Sequence, residues 1–104
     1  MHRIITEHQS EISELCRRFH VRRLEVFGSA ARSSDFDLSR SDADFLVDFD
    51  RSAPRGSNLS QFFELKESLA KVIGRPVDLV ESRAIKNPYL LNQIERERQL
   101  VYAA

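Results

Sequence analysis

The amino-acid sequence predicts an α/β (α+β) domain in which helices cover a small, mixed, three-stranded core sheet. Three observations predict it. At 104 residues the chain has room for one modest core, so a single domain over residues 1–104 is expected. Short apolar runs of strand type alternate with longer runs of helical period, in the order α-β-α-β-α-β-α. Finally, Gly28-Ser29 closes one strand run and Asp42-Ala43-Asp44 opens the next, so two strand ends would meet at one edge of the sheet.

The first element spans residues 3 to 19. Ile4, Ile5, Ile12, Leu15, Cys16 and Phe19 recur at helical spacing, with Glu7, Glu11, Glu14, Arg17 and Arg18 on the remaining surface, which predicts one amphipathic helix. Cys16 lies on the apolar stripe and reads as a packed thiol. His2, His8 and His20 are scattered and read as surface or helix-end groups. Val21-Arg22-Arg23 leads into a first strand from Leu24 to Phe27, with Val26 and Leu24 toward the core and the two arginines at a solvated strand end.

The second strand follows Asp42 through Phe45-Leu46-Val47. Residues 50 to 57 form a loop by their Pro, Gly and Ser content. Asn58 then reads as a helix cap with Gln61 three residues on, as in a capping box. Leu59, Phe62, Phe63, Leu65, Leu69, Val72 and Ile73 give this helix a broad apolar face, and Gly74 ends it. Pro76 to Val80 is the third strand and Glu81 to Lys86 a connection. Asn87-Pro88 reads as a cap followed by proline at the first helical position, opening a last helix to about Arg98. Its apolar side is Leu90, Leu91 and Ile94, while Glu95, Arg96, Glu97 and Arg98 read as a solvated charged face. Leu100-Val101-Tyr102 would add a short edge strand.

Sixteen basic and sixteen acidic side chains cancel, so no global field recruits nucleic acid or an anionic membrane. The single cysteine excludes an internal disulfide, and no apolar run approaches a membrane span or signal-peptide core. A cytoplasmic location is expected.

The chemistry gathers between Leu24 and Phe49. Gly28 has no Cβ and allows a tight turn with backbone N–H groups close to an anion; Ser29 adds a hydroxyl beside them. If Ala30-Ala31-Arg32 begins a short helix, its unpaired N–H groups face the same anion, and the Arg32 guanidinium is placed to reach a phosphate oxygen. Asp42 and Asp44 are two apart, so on a strand both carboxylates project from one face. Two such carboxylates repel, and a hard divalent ion such as Mg²⁺ relieves the repulsion while bridging to phosphates. Asp78, alternating with Val77 and Leu79, supplies a third carboxylate. A competing register exists in Asp35-Phe36-Asp37, but Leu38-Ser39-Arg40-Ser41 after it is no strand, so the later pair is preferred.

With Gly28-Ser29, Asp42-x-Asp44 and Asp78 in this order, the chain resembles the minimal nucleotidyltransferase (MNT) domains of the DNA polymerase β-like nucleotidyltransferase superfamily. The resemblance spans roughly residues 20 to 102; Ala31-Arg32 and the ending NPYLLNQIERERQLVY are also similar. The spacer 30–41 is longer than the family's pattern, and Ser33 stands where a glycine commonly follows Ala-Arg. The resemblance implies the nucleotidyltransferase fold, with Asp42, Asp44 and Asp78 as catalytic residues and ligands of Mg²⁺, two ions being expected, and with Gly28, Ser29 and Arg32 as the nucleotide-binding set. It implies transfer of AMP from ATP to a hydroxyl, in the antitoxin role to a tyrosine of a HEPN-type toxin partner. A complex with that toxin would then set any oligomeric state. Two alternatives are an antitoxin that has lost catalysis and acts by contact alone, and a small-molecule nucleotidyltransferase subunit. The last helix around Tyr89, Leu90 and Ile94 is a candidate docking face, with ordinary core packing of the same residues the equal alternative on periodicity.

Overall fold

The computed structural model describes residues 1–32, 42–50, 52 and 58–104. Five helices and four strands follow one another along the described chain: α1 (Arg3–Thr6), α2 (Gln9–Arg18), β1 (Val21–Phe27), α3 (Gly28–Arg32), β2 (Ala43–Phe49), α4 (Asn58–Ile73), β3 (Val77–Glu81), α5 (Pro88–Glu97) and β4 (Gln99–Ala103), with a 3₁₀ turn at Ser82–Ala84. The strands form one mixed sheet in the order β3-β2-β1-β4. β1 is antiparallel to β2 and β4, and β2 is parallel to β3.

Two expectations are corrected here, and the expected edge strand joins the three-stranded core. The helix expected over 3–19 is two helices, broken at Glu7 and His8. The His2 side chain caps the start of α1 by accepting from the Ile4 N–H at 3.0 Å, and at the break His8 Nδ1 lies 2.8 Å from the Ile4 carbonyl oxygen. The first strand starts at Val21 rather than Leu24, because Val21 is buried and pairs with Phe49 at the far end of β2. The sheet has four strands, since β4 pairs with β1 along Leu24↔Tyr102 and Val26↔Gln99 and buries Val101.

Alternation along the strands divides the core between two faces of the sheet. Ala43, Phe45, Val47 and Phe49 of β2, with Val77 and Leu79 of β3, join Ile5, Ile12, Leu15, Cys16, Leu65 and Leu69 of the helices on one face. Leu46 of β2 and Phe27 of β1 meet Ile94 of α5 on the other, with Val80 and Leu90 packed against them. Cys16 is fully buried, and burial pushes its thiol up to about 12, as a packed side chain requires. Gln61, also buried, donates to the Phe19 carbonyl. The side chain of its expected capping partner Asn58, and residues 53–57 of the expected loop, lie outside the described residues.

Gly74 closes α4 in the left-handed region at φ 68°, so β3 can begin three residues later. Asn87 caps α5 by accepting from the Tyr89 N–H at 2.9 Å, with Pro88 at the first helical position. Among the described residues no helix is long and apolar enough to cross a membrane.

The register brings four strand ends together. The end of β1 (Phe27↔Asp44), the start of β2 (Ala43↔Val77), the start of β3 and the start of β4 (Val26↔Gln99) lie along one edge of the sheet.

Candidate active site at the strand ends

Gly28 stands at the centre of that edge. It is buried, sits at φ 67°, and turns the chain from β1 directly into α3. A side chain there would be strained by the left-handed backbone, and a Cβ would run into Asp44 Oδ2. The glycine therefore lets the Asp44 carboxylate lie against the backbone that starts α3. Ser29 follows, partly buried, on the first turn. α3 is fixed by its neighbours: the His2 N–H donates to the Ala30 carbonyl at 2.7 Å, Gln99 Nε2 donates to the Ala31 carbonyl at 3.1 Å, and Ala30 and Ala31 are buried.

Asp44 and Asp78 are direct register partners across the parallel β2–β3 ladder. Their side chains share the face that carries Leu46 and Val80, away from α4. Asp42 immediately precedes β2, is exposed, and borders the groove that holds Phe63 and Val77. The three carboxylates act on one another. Burial, then Asp78, then Asp42 push the Asp44 carboxyl up to about 6, against the pull of Arg32, with Glu97 adding to the rise.

Among the described residues no three His, Cys, Asp or Glu side chains close into a finished metal cage. The donor set nevertheless suits Mg²⁺, which keeps several waters and is held through one or two carboxylates plus substrate phosphates. An all-oxygen pair, crowded enough to lift one pKa and open on the Asp42 and Asp78 side, is that kind of half-built site.

Arg32 ends α3, and its guanidinium is paired with Glu97 at the last turn of α5. This corrects the reading of Glu97 as part of a solvated face: its side chain is only 18 % exposed, against 62 % for Glu95. The signal was in the spacing. Leu90, Ile94 and Glu97 fall at i, i+4 and i+7, so the glutamate lies on the stripe that α5 turns toward the sheet. Glu25 on β1 was also passed over; it is buried between Arg23 at 3.2 Å and Arg98 at 3.6 Å, which makes an interior charge tolerable. Arg22 is exposed, as read, and pairs with Asp48 at 2.9 Å.

The expected docking face is only partly a surface. Tyr89 is 85 % exposed, but Ile94 is core, packed with Phe27 and Leu46. Glu97 follows Tyr89 by eight positions, about 12 Å along a helix, so Tyr89 lies at the end of α5 remote from the carboxylates. The competing pair Asp35 and Asp37, with Ser33, lies outside the described residues.

Similarity to known proteins agrees with this fold. The family described as polymerase beta nucleotidyltransferase matches residues 10–104. The chain is 39% identical over 84 residues to the protein adenylyltransferase MntA of Thermococcus cleftensis, covering 81% of this chain and 76% of that one. A solved structure provisionally named a minimal nucleotidyltransferase superposes with a TM-score of 0.74 at 32% identity, over 95% of both chains. A complex of tri-AMPylated Shewanella oneidensis HEPN toxin with its MNT antitoxin contains the same fold, with a TM-score of 0.64 at 22% identity over 96% of this chain and 73% of that one. The chain thus belongs to the polymerase β nucleotidyltransferase family, and the four-stranded sheet with its flanking helices is the nucleotidyltransferase fold.

Proposed function

We propose that the chain is a single minimal nucleotidyltransferase domain that moves AMP from ATP to a protein hydroxyl, in the manner of an antitoxin acting on a HEPN-type toxin. One observation carries the reading: Asp44 stands opposite Asp78 on adjacent parallel strands while its carboxylate rests against the left-handed Gly28. That arrangement sets acid ligands beside a bare backbone turn suited to phosphate. The adenylyltransferase relative and the AMPylated toxin complex support the choice of nucleotide and acceptor class.

In this reading Gly28 and Ser29 hold the phosphates, and Arg32 contributes charge from the end of α3. Asp42, Asp44 and Asp78 would hold Mg²⁺, with two ions expected, and the metal supplies electrostatic stabilisation of the attacking and leaving oxygens. The acceptor oxygen attacks the α-phosphorus in line. A P–O bond forms to the acceptor, the bond to the bridging oxygen breaks, and pyrophosphate leaves with that electron pair. Asp78 takes the hydroxyl proton, since it is the exposed carboxylate of the register pair and lies farthest along the sheet from Gly28.

The test is co-expression with the product of the adjacent gene, followed by mass spectrometry. AMP on a tyrosine of that protein, absent with Asp44→Asn, is expected. A partner that is bound and inhibited yet unmodified would replace this reading with neutralisation by contact alone.

A further inference from the structure

β3 ends the sheet: among the described residues its one strand neighbour is β2. An outer strand edge presents N–H and C=O groups that another chain can pair with. The two sides of this edge differ sharply. Asp78 and Val80 point to the α5 face, where the carboxylates gather. Val77 and Leu79 point to the α4 face, where two adjoining grooves run beside the strand. One groove is lined by Phe63, Ala70, Pro76 and Val77 with the charged Asp42, Lys66 and Glu67 at its rim; the other, lined by Leu59, Phe62 and Leu79, reaches across the strand edge to Val80, Glu81 and Ala84. Leu59 and Phe63 are one helical turn apart on α4 and are 66 % and 49 % exposed, an unusual pair of large apolar side chains to leave in water. Phe63 is not loose, because its ring is edge-on to Phe62 with centroids 5.5 Å apart.

Strand order fixes which reactant comes to this edge. Gly28 follows β1, the paired carboxylates stand on β2 and β3, and the in-line attack of the proposed reaction requires the acceptor to enter opposite the departing pyrophosphate. With phosphates at the β1 end, the acceptor side is β3. Resting on the nucleotidyltransferase reading above, we propose that the acceptor is an extended protein segment that adds to the outer edge of β3. Its hydroxyl residue lies opposite Asp78, and its apolar neighbours lie in the α4 grooves.

The two-residue period of a strand joins these requirements. A segment paired with β3 lies about 4.8 Å away and shares its alternation, so a residue opposite Asp78 projects onto the carboxylate face while the residues before and after it project toward Phe63 and Val77. Backbone pairing then gives affinity and the alternate pockets give selectivity for apolar flanks, as in other edge-strand recognition. A second copy fits poorly. Antiparallel self-pairing centred on Leu79 sets Asp78 against Val80 and Glu81 against Val77, leaving each carboxylate opposite a valine. Continuity with the candidate site also favours the acceptor, since Asp42 itself lines the groove that holds Phe63.

The probe is the blocked peptide Thr-Val-Tyr-Val-Thr, compared with the same peptide N-methylated at alternate backbone nitrogens, each added to the full isotope-labelled chain. Amide shift changes centred on residues 77–81 are expected, with binding roughly tenfold weaker for the N-methylated peptide and for Phe63→Glu. With ATP and Mg²⁺, AMP should appear on the tyrosine of the unmethylated peptide. Shifts at 77–81 without AMP transfer would keep a peptide-binding edge and remove the transferase reading beneath it. Equal AMP transfer to both peptides, shifts confined to other elements, or self-association that Phe63→Glu abolishes would overturn the edge assignment and leave the transferase reading standing.

Discussion

Asp44 faces Asp78 directly across two parallel strands, and the nearer of the pair to Gly28 is the one whose carboxyl is pushed up to about 6. Burial leads that rise, and the two neighbouring aspartates add to it. A fold that holds such a pair without a counter-ion gives up stability to do so, and a bound cation returns it.

Asp44→Asn should therefore separate stability from activity. The substitution keeps the side chain's volume and removes its charge, so the metal-free variant should unfold at a higher denaturant concentration than the wild type at pH 7. Nucleotidyl transfer should fall to background in the same preparation. Denaturant titration beside an assay with ATP and Mg²⁺ checks both, and transfer near the wild-type rate would remove Asp44 from the site.

The pH dependence follows with its sign. The Asp44 carboxyl is raised in the folded chain from its ordinary 3.8 to about 6, so the folded state holds the proton more tightly than the unfolded state does. The penalty is absent below pH 3.8, grows as pH rises toward 6, and is complete above that. The thermal midpoint of wild type minus that of Asp44→Asn should accordingly become more negative across this window and then level off. Added Mg²⁺ should raise the wild-type midpoint more at pH 7.5 than at pH 5, because only the ionised carboxylate is a good ligand. A Mg²⁺ effect independent of pH would contradict the assignment.

Gly28→Ala places a methyl group against Asp44 Oδ2 in a left-handed backbone. A non-glycine residue held there costs on the order of 1–3 kcal/mol, before any displacement of the carboxylate is counted. Gly74→Ala is the control: it shares the positive φ, but open space surrounds its Cβ. Both variants should lose stability in urea, and Gly28→Ala alone should also lose Mg²⁺-dependent nucleotide binding measured by calorimetry.

Much of this edge was legible in the residues because its determinants are local. Gly28 has to turn the chain tightly, and strand period alone puts Asp44 on the face opposite Ala43 and Phe45, whereas Asp42 stands before the strand begins. What escaped was set by distant partners. At the break between α1 and α2 the His8 ring meets the Ile4 carbonyl, and the helical stripe reads the same on either side of it. Leu100-Val101-Tyr102 pointed to a strand, but its full length required β1 beside it. Glu97 was hidden by its neighbours: in a run of Glu and Arg, composition suggests solvent, and only the register of α5 on the sheet turns Glu97 toward Arg32 and Arg98 toward Glu25.

Ile94 and Tyr89 give a direct contrast on one helix. Ile94→Ala removes a buried side chain between Phe27 and Leu46 and should cost about 2–5 kcal/mol. Tyr89→Ala, at an 85 % exposed position, should leave the urea midpoint almost unchanged. If Tyr89→Ala weakened AMP transfer to a protein acceptor while Phe63→Glu did not, docking would move from the β3 edge to α5.

If the proposed reading holds and Arg32 serves the phosphates, its pairing with Glu97 predicts how nucleotide binding responds to charge. Glu97 is mostly buried and lies at the last turn of α5, while Arg32 ends the short helix that begins at Gly28. An incoming polyphosphate must compete with Glu97 for the guanidinium, and it also meets the negative charge that Glu97 adds near Asp44. Glu97→Gln keeps the side chain's size and removes that charge. It should lower the KM for ATP, with little change in kcat when the acceptor is saturating. Arg32→Gln should raise the KM, and the double variant should resemble Arg32→Gln, because Glu97 acts on the nucleotide chiefly through the arginine. Steady-state kinetics of the three variants decide the matter. A KM for ATP that rises with Glu97→Gln would show instead that the glutamate holds Arg32 in its phosphate-binding position, making the ion pair a support for binding and not a competitor.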